Sequence, residues 1–449
     1  MLGKPRSAYK RRAHFALGIA AGVVLSLGAP PGAQAATIKV TKGAVDAVTN
    51  GNCSIREAIT AANTDSAVDA CTAGSGADTI NAPGAFVLRT PDNDANGLPV
   101  IASSVRINNA SLTRASGAPP LRILEVESTG DLTLHNVTVS HGLARDCPTS
   151  EDVCGGGIAN EGTLAVHNSR IVNNTATGTT FGVEGGGIYN AGTASLASSE
   201  LSANSASNTS SDFNGALGGG IHNEGTLNVQ SSRLSDNTAS CSGGGPSGCF
   251  ALGGSIYNPD PGKLNVQSSR LSENTTSCSA TGCFAVGGAV TNDATATVRS
   301  SHISDNTASC SASECTAIGG GAGTGFGTLD LRSNQVRNNT ASCSASGCVA
   351  RGGGLDNDFD GTLNVENSRL AGNEAIAPSG IARGGGLYNG SGTTTVARSG
   401  VTGNLASGAT AEGGGIYEGG GSVVLIKSRV SGNTPDDCRP VASVPGCSD

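Results

Sequence analysis

Gly218-Gly-Gly-Ile221-His-Asn223-Glu-Gly225-Thr-Leu227-Asn-Val229-Gln-Ser231-Ser232-Arg233-Leu234-Ser235-Asp236-Asn237-Thr-Ala239 is one complete unit of a pattern that the chain writes nine times. Its glycine blocks begin at Gly155, Gly185, Gly218, Gly253, Gly287, Gly319, Gly352, Gly384 and Gly413, a spacing of 29 to 35 residues. A period in that range marks a stacked array in which each unit buries its apolar face against its neighbours. Within a unit, short segments with Val, Leu, Ile or Ser at alternate positions are separated by Gly, Asn, Asp or Ser, which is strand chemistry with turn chemistry between. The segments are too short and too glycine-rich for a helical or leucine-rich solenoid. The expected fold is therefore all-β: a single right-handed parallel β-helix with three-strand coils.

Alternation places Leu227, Val229 and Ser231 inside, then Ser232 and Leu234 after a change of phase at the Ser-Ser corner, with Arg233 and Ser235 pointing outward. Length varies between the Asn-Thr-Ala segment and the next glycine block, so one corner of each coil is expected to carry a variable loop. Ten to twelve coils stacked at about 4.8 Å would extend roughly 50 to 60 Å. Stacking also aligns Asn174, Asn204, Asn237, Asn274, Asn306, Asn339, Asn373, Asn404 and Asn433 in one column, where amides can form a buried ladder. Asn160, Asn190, Asn223, Asn258, Asn292, Asn357 and Asn389 make a second column, which the alignment breaks at Gly323 and Glu418. With 68 glycines, no Trp and 3% aromatic residues, the core should be slender.

Residues 1–35 read as an export signal: Lys4, Arg6, Lys10, Arg11 and Arg12 precede an apolar run from Phe15 to Leu27, and Ala33-Gln-Ala35 offers a cleavage site. The Arg11-Arg12 pair leaves Sec and twin-arginine routes open. Loss of this segment removes five of the 27 basic residues and none of the 35 acidic ones, so the formal charge moves from −8 to −13. Such a chain is a poor nucleic-acid binder, and no second apolar run is long enough to span a bilayer as a helix. Fourteen cysteines in an exported chain favour disulfides. They fall into seven local pairs: Cys53/Cys71, Cys147/Cys154, Cys241/Cys249, Cys278/Cys283, Cys310/Cys315, Cys343/Cys348 and Cys438/Cys447. Equivalent cysteines of stacked loops also come within disulfide reach of one another, so pairing between coils stays open.

Residues 36–103 differ in kind from the array expected over 104–437, and residues 438–449 form a short tail that Cys438 and Cys447 can close. Ser54 and Glu57 make a Ser-x-x-Glu capping box, and Ile55 and Ile59 recur at helical spacing. A short amphipathic helix laid over the open first coil would cover the end of the core.

Cys53-Ser-Ile-Arg-Glu-Ala-Ile59, followed by Ala61-Ala-Asn63 and Gly76-Ala-Asp-Thr-Ile80, resembles the CSLREA motif at the N-terminus of many exported bacterial parallel β-helix proteins, with Ile55 in place of Leu. The Gly-Gly-Gly-Ile and Leu-x-x-Asn-x-Ala repeat is similar to the passenger repeats of chlamydial-type polymorphic outer-membrane proteins. These resemblances cover essentially the whole mature chain. They imply a right-handed β-helix that is extracellular, periplasmic or held at the cell surface. The C-terminal membrane barrel of the outer-membrane relatives has no counterpart before Asp449.

Parallel β-helices of the pectin-lyase-like superfamily cleave or epimerise acidic polysaccharides, chemistry that needs carboxylate pairs or a base beside a cation. No such constellation breaks the repeat on inspection of the sequence. Arg170, Arg233, Arg270, His302, Arg369 and Arg429 recur at one outward position, with Asp236, Glu273 and Asp305 three residues on from Arg233, Arg270 and His302. Two loops, Asp356-Asn-Asp358-Phe-Asp360-Gly361 and Asp92-Asn-Asp94-Ala-Asn96-Gly97, open like calcium loops. Their twelfth positions are Asn367 and Ser103, which lack the bidentate carboxylate. Calcium is thus the one candidate cofactor. The expected function is a non-catalytic, adhesin-like exported protein presenting a repetitive face to a glycan, a matrix or a cell. A polysaccharide-active enzyme and a structural spacer are the alternatives.

Overall fold

A computed structural model describes residues 35–447 except 94, 148–151, 180, 211–213 and 244–247. The export segment expected over 1–35 therefore lies outside the described residues, apart from Ala35. The rest is a parallel β-solenoid built from three sheets of 23, 16 and 11 strands.

One coil shows why these residues fold this way. Thr226–Gln230 and Arg233–Ser235 lie in the first sheet, Thr238–Cys241 and Cys249–Leu252 in the second, and Ile256–Asn258 in the third. Every step to the next coil is in register: Leu227 pairs with Leu264, Leu234 with Leu271 and Ile221 with Ile256. Ile221, Leu227, Val229 and Leu234 are all buried, so each coil adds four aliphatic side chains to a continuous core. The second sheet contributes Ala206, Ala239, Ala308 and Ala341 instead, which keeps that side thin.

The expected phase at the Ser-Ser corner needs correcting. Ser231 takes a left-handed backbone, φ 49°, and its side chain is exposed, while Ser235 keeps the expected outward side, where its Oγ accepts from Arg233 Nε at 3.0 Å and is covered by that side chain. A second left-handed residue, Asp236 at φ 59°, turns the chain again before Asn237. Two corners only five residues apart reset the alternation, which a straight-strand reading cannot anticipate. Ser232 then joins a ladder of its own: Ser199 N–H donates to Ser232 Oγ at 3.1 Å and Ser232 N–H to Ser269 Oγ at 3.1 Å.

The asparagine column forms as expected. Asn237 Nδ2 donates to Asn274 Oδ1 at 2.9 Å and to the Leu201 carbonyl at 3.0 Å, and its Oδ1 accepts from Asn204 Nδ2 at 3.0 Å. The second column also links coil to coil, as from Asn223 Nδ2 to Asn258 Oδ1 at 2.7 Å. Its break falls at Thr324, not Gly323, because Thr324 is in register with Asn292 and Asn357. The Thr324 hydroxyl donates to the Asn292 carbonyl at 2.8 Å and so keeps part of the ladder.

The variable loops also sit elsewhere than expected. They leave from the middle of the second sheet, between strands such as Thr238–Cys241 and Cys249–Leu252, and not from a corner. Where the insert is short the two halves fuse, as in the continuous strand Glu374–Arg383. Six of the seven local disulfides are present: Cys53–Cys71, Cys147–Cys154, Cys241–Cys249, Cys278–Cys283, Cys343–Cys348 and Cys438–Cys447. The seventh is not; Cys310 and Cys315 are buried free thiols. Register explains the competition, since Cys310 stacks between Cys278 and Cys343, and Cys315 Sγ lies 3.7 Å from Cys343 Sγ of the next coil.

The solenoid begins ahead of residue 104. Thr37–Lys39 pairs with Asp78–Leu88, which pairs with Ser104–Arg114. Between them lies the helix Ile55–Thr64, with the capping box in place: Glu57 N–H donates to Ser54 Oγ at 3.2 Å and Ser54 N–H to Glu57 Oε2 at 2.9 Å. Ile55 and Ile59 are buried in the core, and Arg56 Nε donates to the Gly97 carbonyl at 3.1 Å. The helix thus closes the first coil with apolar residues and fastens to the next loop through one guanidinium.

Gly218 shows what the glycine block is for. Its φ is +65°, and a Cβ there would lie 2.1 Å from the Ile221 carbonyl oxygen. Gly218→Ala should cost about 2 kcal/mol or more, from the left-handed backbone plus the clash. At Gly403, with the same φ of +65° but nothing within 4 Å, Ala should cost about 1 kcal/mol. Urea midpoints of the two variants check this, and equal losses would show that close packing at the block is unimportant.

Candidate functional site

Two outer surfaces carry functional groups. The first follows the Ser-Ser corner. Because Asn168, Ser198, Ser231, Ser268 and Ser300 all turn in the left-handed region, the chain bends sharply there on every coil. The bend leaves an open trough of about 750 Å³, lined by those residues, the serine ladder, Arg170, Glu200, Arg233, Arg270 and His302. Arg233, Arg270 and His302 occupy consecutive strands in register. The expected column is outward-facing, but Glu200, Gln335 and Gly400 interrupt it. Arg170 is engaged by Glu200, Nε to Oε2 at 2.9 Å, a contact of little net stability at the surface. Asp236, Glu273 and Asp305 lie at the next corner, each left-handed and exposed.

The second surface is the elbow where the glycine block turns the second sheet into the third. Its outward positions are Tyr189, His222, Tyr257, Thr291, Gly323, Asp356, Tyr388 and Tyr417 on successive coils. Glu184, Leu217, Leu252, Val286, Ile318, Arg351 and Arg383 face them from the second sheet. Outward residues on a convex surface are exposed, yet Glu184 is 9% and His222 2% exposed. The elbow is therefore re-entrant.

At one end of it, Glu184, His222 and Glu224 bring their carboxylate and imidazole ligand atoms within 4.8 Å of one another. His222 Nε2 lies 3.4 Å from Glu224 Oε1, too poorly aligned for a hydrogen bond, and neither ring nitrogen has a hydrogen-bond partner among the described residues. Tyr189 donates to Glu224 Oε2 at 3.0 Å. Burial pushes the Glu184 carboxyl up to about 7, whereas the neighbouring imidazole holds Glu224 below its usual range. Burial pulls His222 down, but Glu184 and Glu224 outweigh it and its pKa is raised. The repeat register hides this group. The signal was available in the residue after each block's aliphatic position, where Tyr, His, Thr, Gly and Asp alternate while the flanking Asn is nearly constant.

Further along the elbow, Asp356 and Asp358 both turn to Arg351, whose guanidinium lies over Tyr388 at 4.9 Å. A cation is thus already present at the first calcium-like loop, supplied by Arg351, and Asp360 lies beyond it in the turn. At the second such loop Asp92 faces Arg56 at 3.5 Å, and Asn96 Oδ1 accepts from Arg122 at 2.9 Å. Asp94 lies outside the described residues.

Comparison with known protein families, with curated proteins and with solved structures finds no match. Six disulfides agree with folding in an oxidising compartment. Among the described residues no helix is long and apolar enough to cross a membrane.

Proposed function

We propose that this chain is an exported, non-catalytic β-helix of the CSLREA type that binds an anionic glycan, of a matrix or a cell surface, along the serine-lined trough. The observation that carries the reading is the run of Arg233, Arg270 and His302 on adjacent strands of an open trough. Guanidinium groups make charge-assisted, often bidentate bonds to carboxylate or sulfate, and serine hydroxyls can serve sugar hydroxyls on either side. Three successive coils offer such a donor, at Arg233, Arg270 and His302, a spacing suited to a polymer more than to a small molecule.

The test is binding of the secreted protein to polygalacturonate, a sulfated glycosaminoglycan and a neutral glucan, with product ends recorded. Binding of the acidic polymers should weaken with salt. Arg233→Ser together with Arg270→Ser should weaken it at least about 10-fold, since hydrogen bonds to charged groups contribute about 1.5–3 kcal/mol each. Neutral glucan bound as well as the acidic polymers, or a double variant unchanged, defeats the reading. One observation favours an enzyme instead: Glu184 and Glu224 have protonation equilibria pushed apart, as an acid and its partner carboxylate require. The near-complete burial of Glu184 weighs against sugar access, and new reducing or unsaturated ends would decide for the enzyme.

A further inference from the structure

We infer that Glu184, His222 and Glu224 form a binding site for a divalent transition-metal ion. The three residues come from two neighbouring coils: Glu184 ends the strand Gly182–Glu184, just before the block at Gly185, and His222 and Glu224 follow the block of the next coil, at Gly218. Their ligand atoms lie within 4.8 Å of one another. Donors bound at about 2.0–2.2 Å to one ion are about 3–4 Å apart, a separation that His222 Nε2 and Glu224 Oε1 already have at 3.4 Å.

The independent observation is the imidazole itself. His222 is 2% exposed, and neither ring nitrogen meets a hydrogen-bond partner among the described residues. A buried imidazole whose nitrogens make no well-aligned hydrogen bond is costly, its one close polar contact being Glu224 Oε1 at 3.4 Å, and a metal bond to Nε2 would offset that cost. Tyr189 binds Glu224 Oε2 at 3.0 Å and leaves Oε1 for the ion, the kind of outer contact that aims a metal ligand. Tyr257 meets the imidazole edge-on at 5.4 Å between centroids and limits its rotation.

Donor chemistry narrows the ion. One imidazole and two carboxylates suit Zn²⁺, Mn²⁺ or Co²⁺ better than Ca²⁺, which takes oxygen ligands, or Cu⁺, which prefers sulfur. Two carboxylates also balance the charge of the ion in a buried setting. Three protein ligands leave at least one position for water or another ligand.

Zn²⁺ titration and Co²⁺ spectroscopy on the full exported chain test the site. One equivalent should bind, and the Co²⁺ form should show visible d–d absorption without a sulfur-to-cobalt charge-transfer band. That band would place the ion on the Cys310 and Cys315 thiols and overturn the inference. Glu184→Gln and His222→Gln should each weaken Zn²⁺ at least about 100-fold, beyond the 10–100-fold lost with an outer partner. Tyr189→Phe, which keeps the ring packing, should weaken it about 10-fold and serves if either other variant misfolds. Asp356→Asn should leave affinity unchanged. No Zn²⁺ uptake by the wild-type chain, or equal uptake by the folded variants, defeats the site.

Discussion

Asn237→Ala is expected to lower the stability of the solenoid by about 4 kcal/mol, from the handful of hydrogen bonds it removes and the groups it leaves unpaired. Asn237 is fully buried. Its Oδ1 is the acceptor for Asn204 N–H at 3.1 Å and Asn204 Nδ2 at 3.0 Å, and its own Nδ2 reaches Asn274 Oδ1 and the Leu201 carbonyl. Alanine leaves the Asn204 N–H and one Nδ2 hydrogen without an acceptor where water cannot follow, while Nδ2 keeps its bond to the Ile171 carbonyl, at about 1–3 kcal/mol for each unsatisfied group. Each coil contacts only its neighbours, so the loss should also separate the unfolding of the coils before and after the break. Asn228 is the control. It lies on the outer face, accepts from Asn265 Nδ2 at 3.1 Å and remains solvated, so its alanine variant should stay within about 0.5 kcal/mol of wild type. Urea unfolding followed by circular dichroism reads both. Equal midpoints for the two variants would mean that the ladder contributes no more than a surface contact.

The ladder could be read from the sequence because it depends only on period: any residue that recurs at the same place in each unit must stack with itself. The same logic gave the parallel sheets and the inward aliphatic residues; the capping helix was legible for another reason, since Ser54 and Glu57 act within four residues of each other. Failures cluster where two left-handed corners fall close together. Ser231 turned outward because its left-handed backbone redirects the chain at that residue, and backbone sign at Ser is not written in side-chain alternation. The variable loops were placed at a corner because a length change looks alike in sequence whether it interrupts a strand or joins two. Glu184 with His222 was missed for a different reason. The pair belongs to two columns that meet only when the glycine block folds the second sheet against the third. Arg351 similarly meets Asp356 and Asp358 across that elbow, so a guanidinium occupies the apparent calcium loop.

Asp356 gives the second large effect, a loss of stability with rising pH. Its side chain is 2% exposed, its Oδ2 accepts no hydrogen bond among the described residues, and burial pushes its carboxyl up to about 7. Arg351 opposes that shift and Asp358 adds to it; the guanidinium is already hydrogen-bonded to Asp358, so Asp356 receives only part of its field. Tyr388, the remaining titratable neighbour, is itself held protonated by burial. Since the folded form binds a proton more tightly than the unfolded chain, whose Asp titrates near 3.9, the contribution is complete below about pH 4 and declines as pH rises through 7. At about 1.4 kcal/mol per pH unit, the change over that interval approaches 4 kcal/mol. Asp356→Asn carries no such proton, so its stability relative to wild type should rise by that amount between pH 4 and pH 8. Urea midpoints measured across this range, with chelator present, give the comparison directly. Parallel curves would mean that Asp356 is ionised in the fold, with Arg351 shared between it and Asp358, and that its charge does not change with pH over this range.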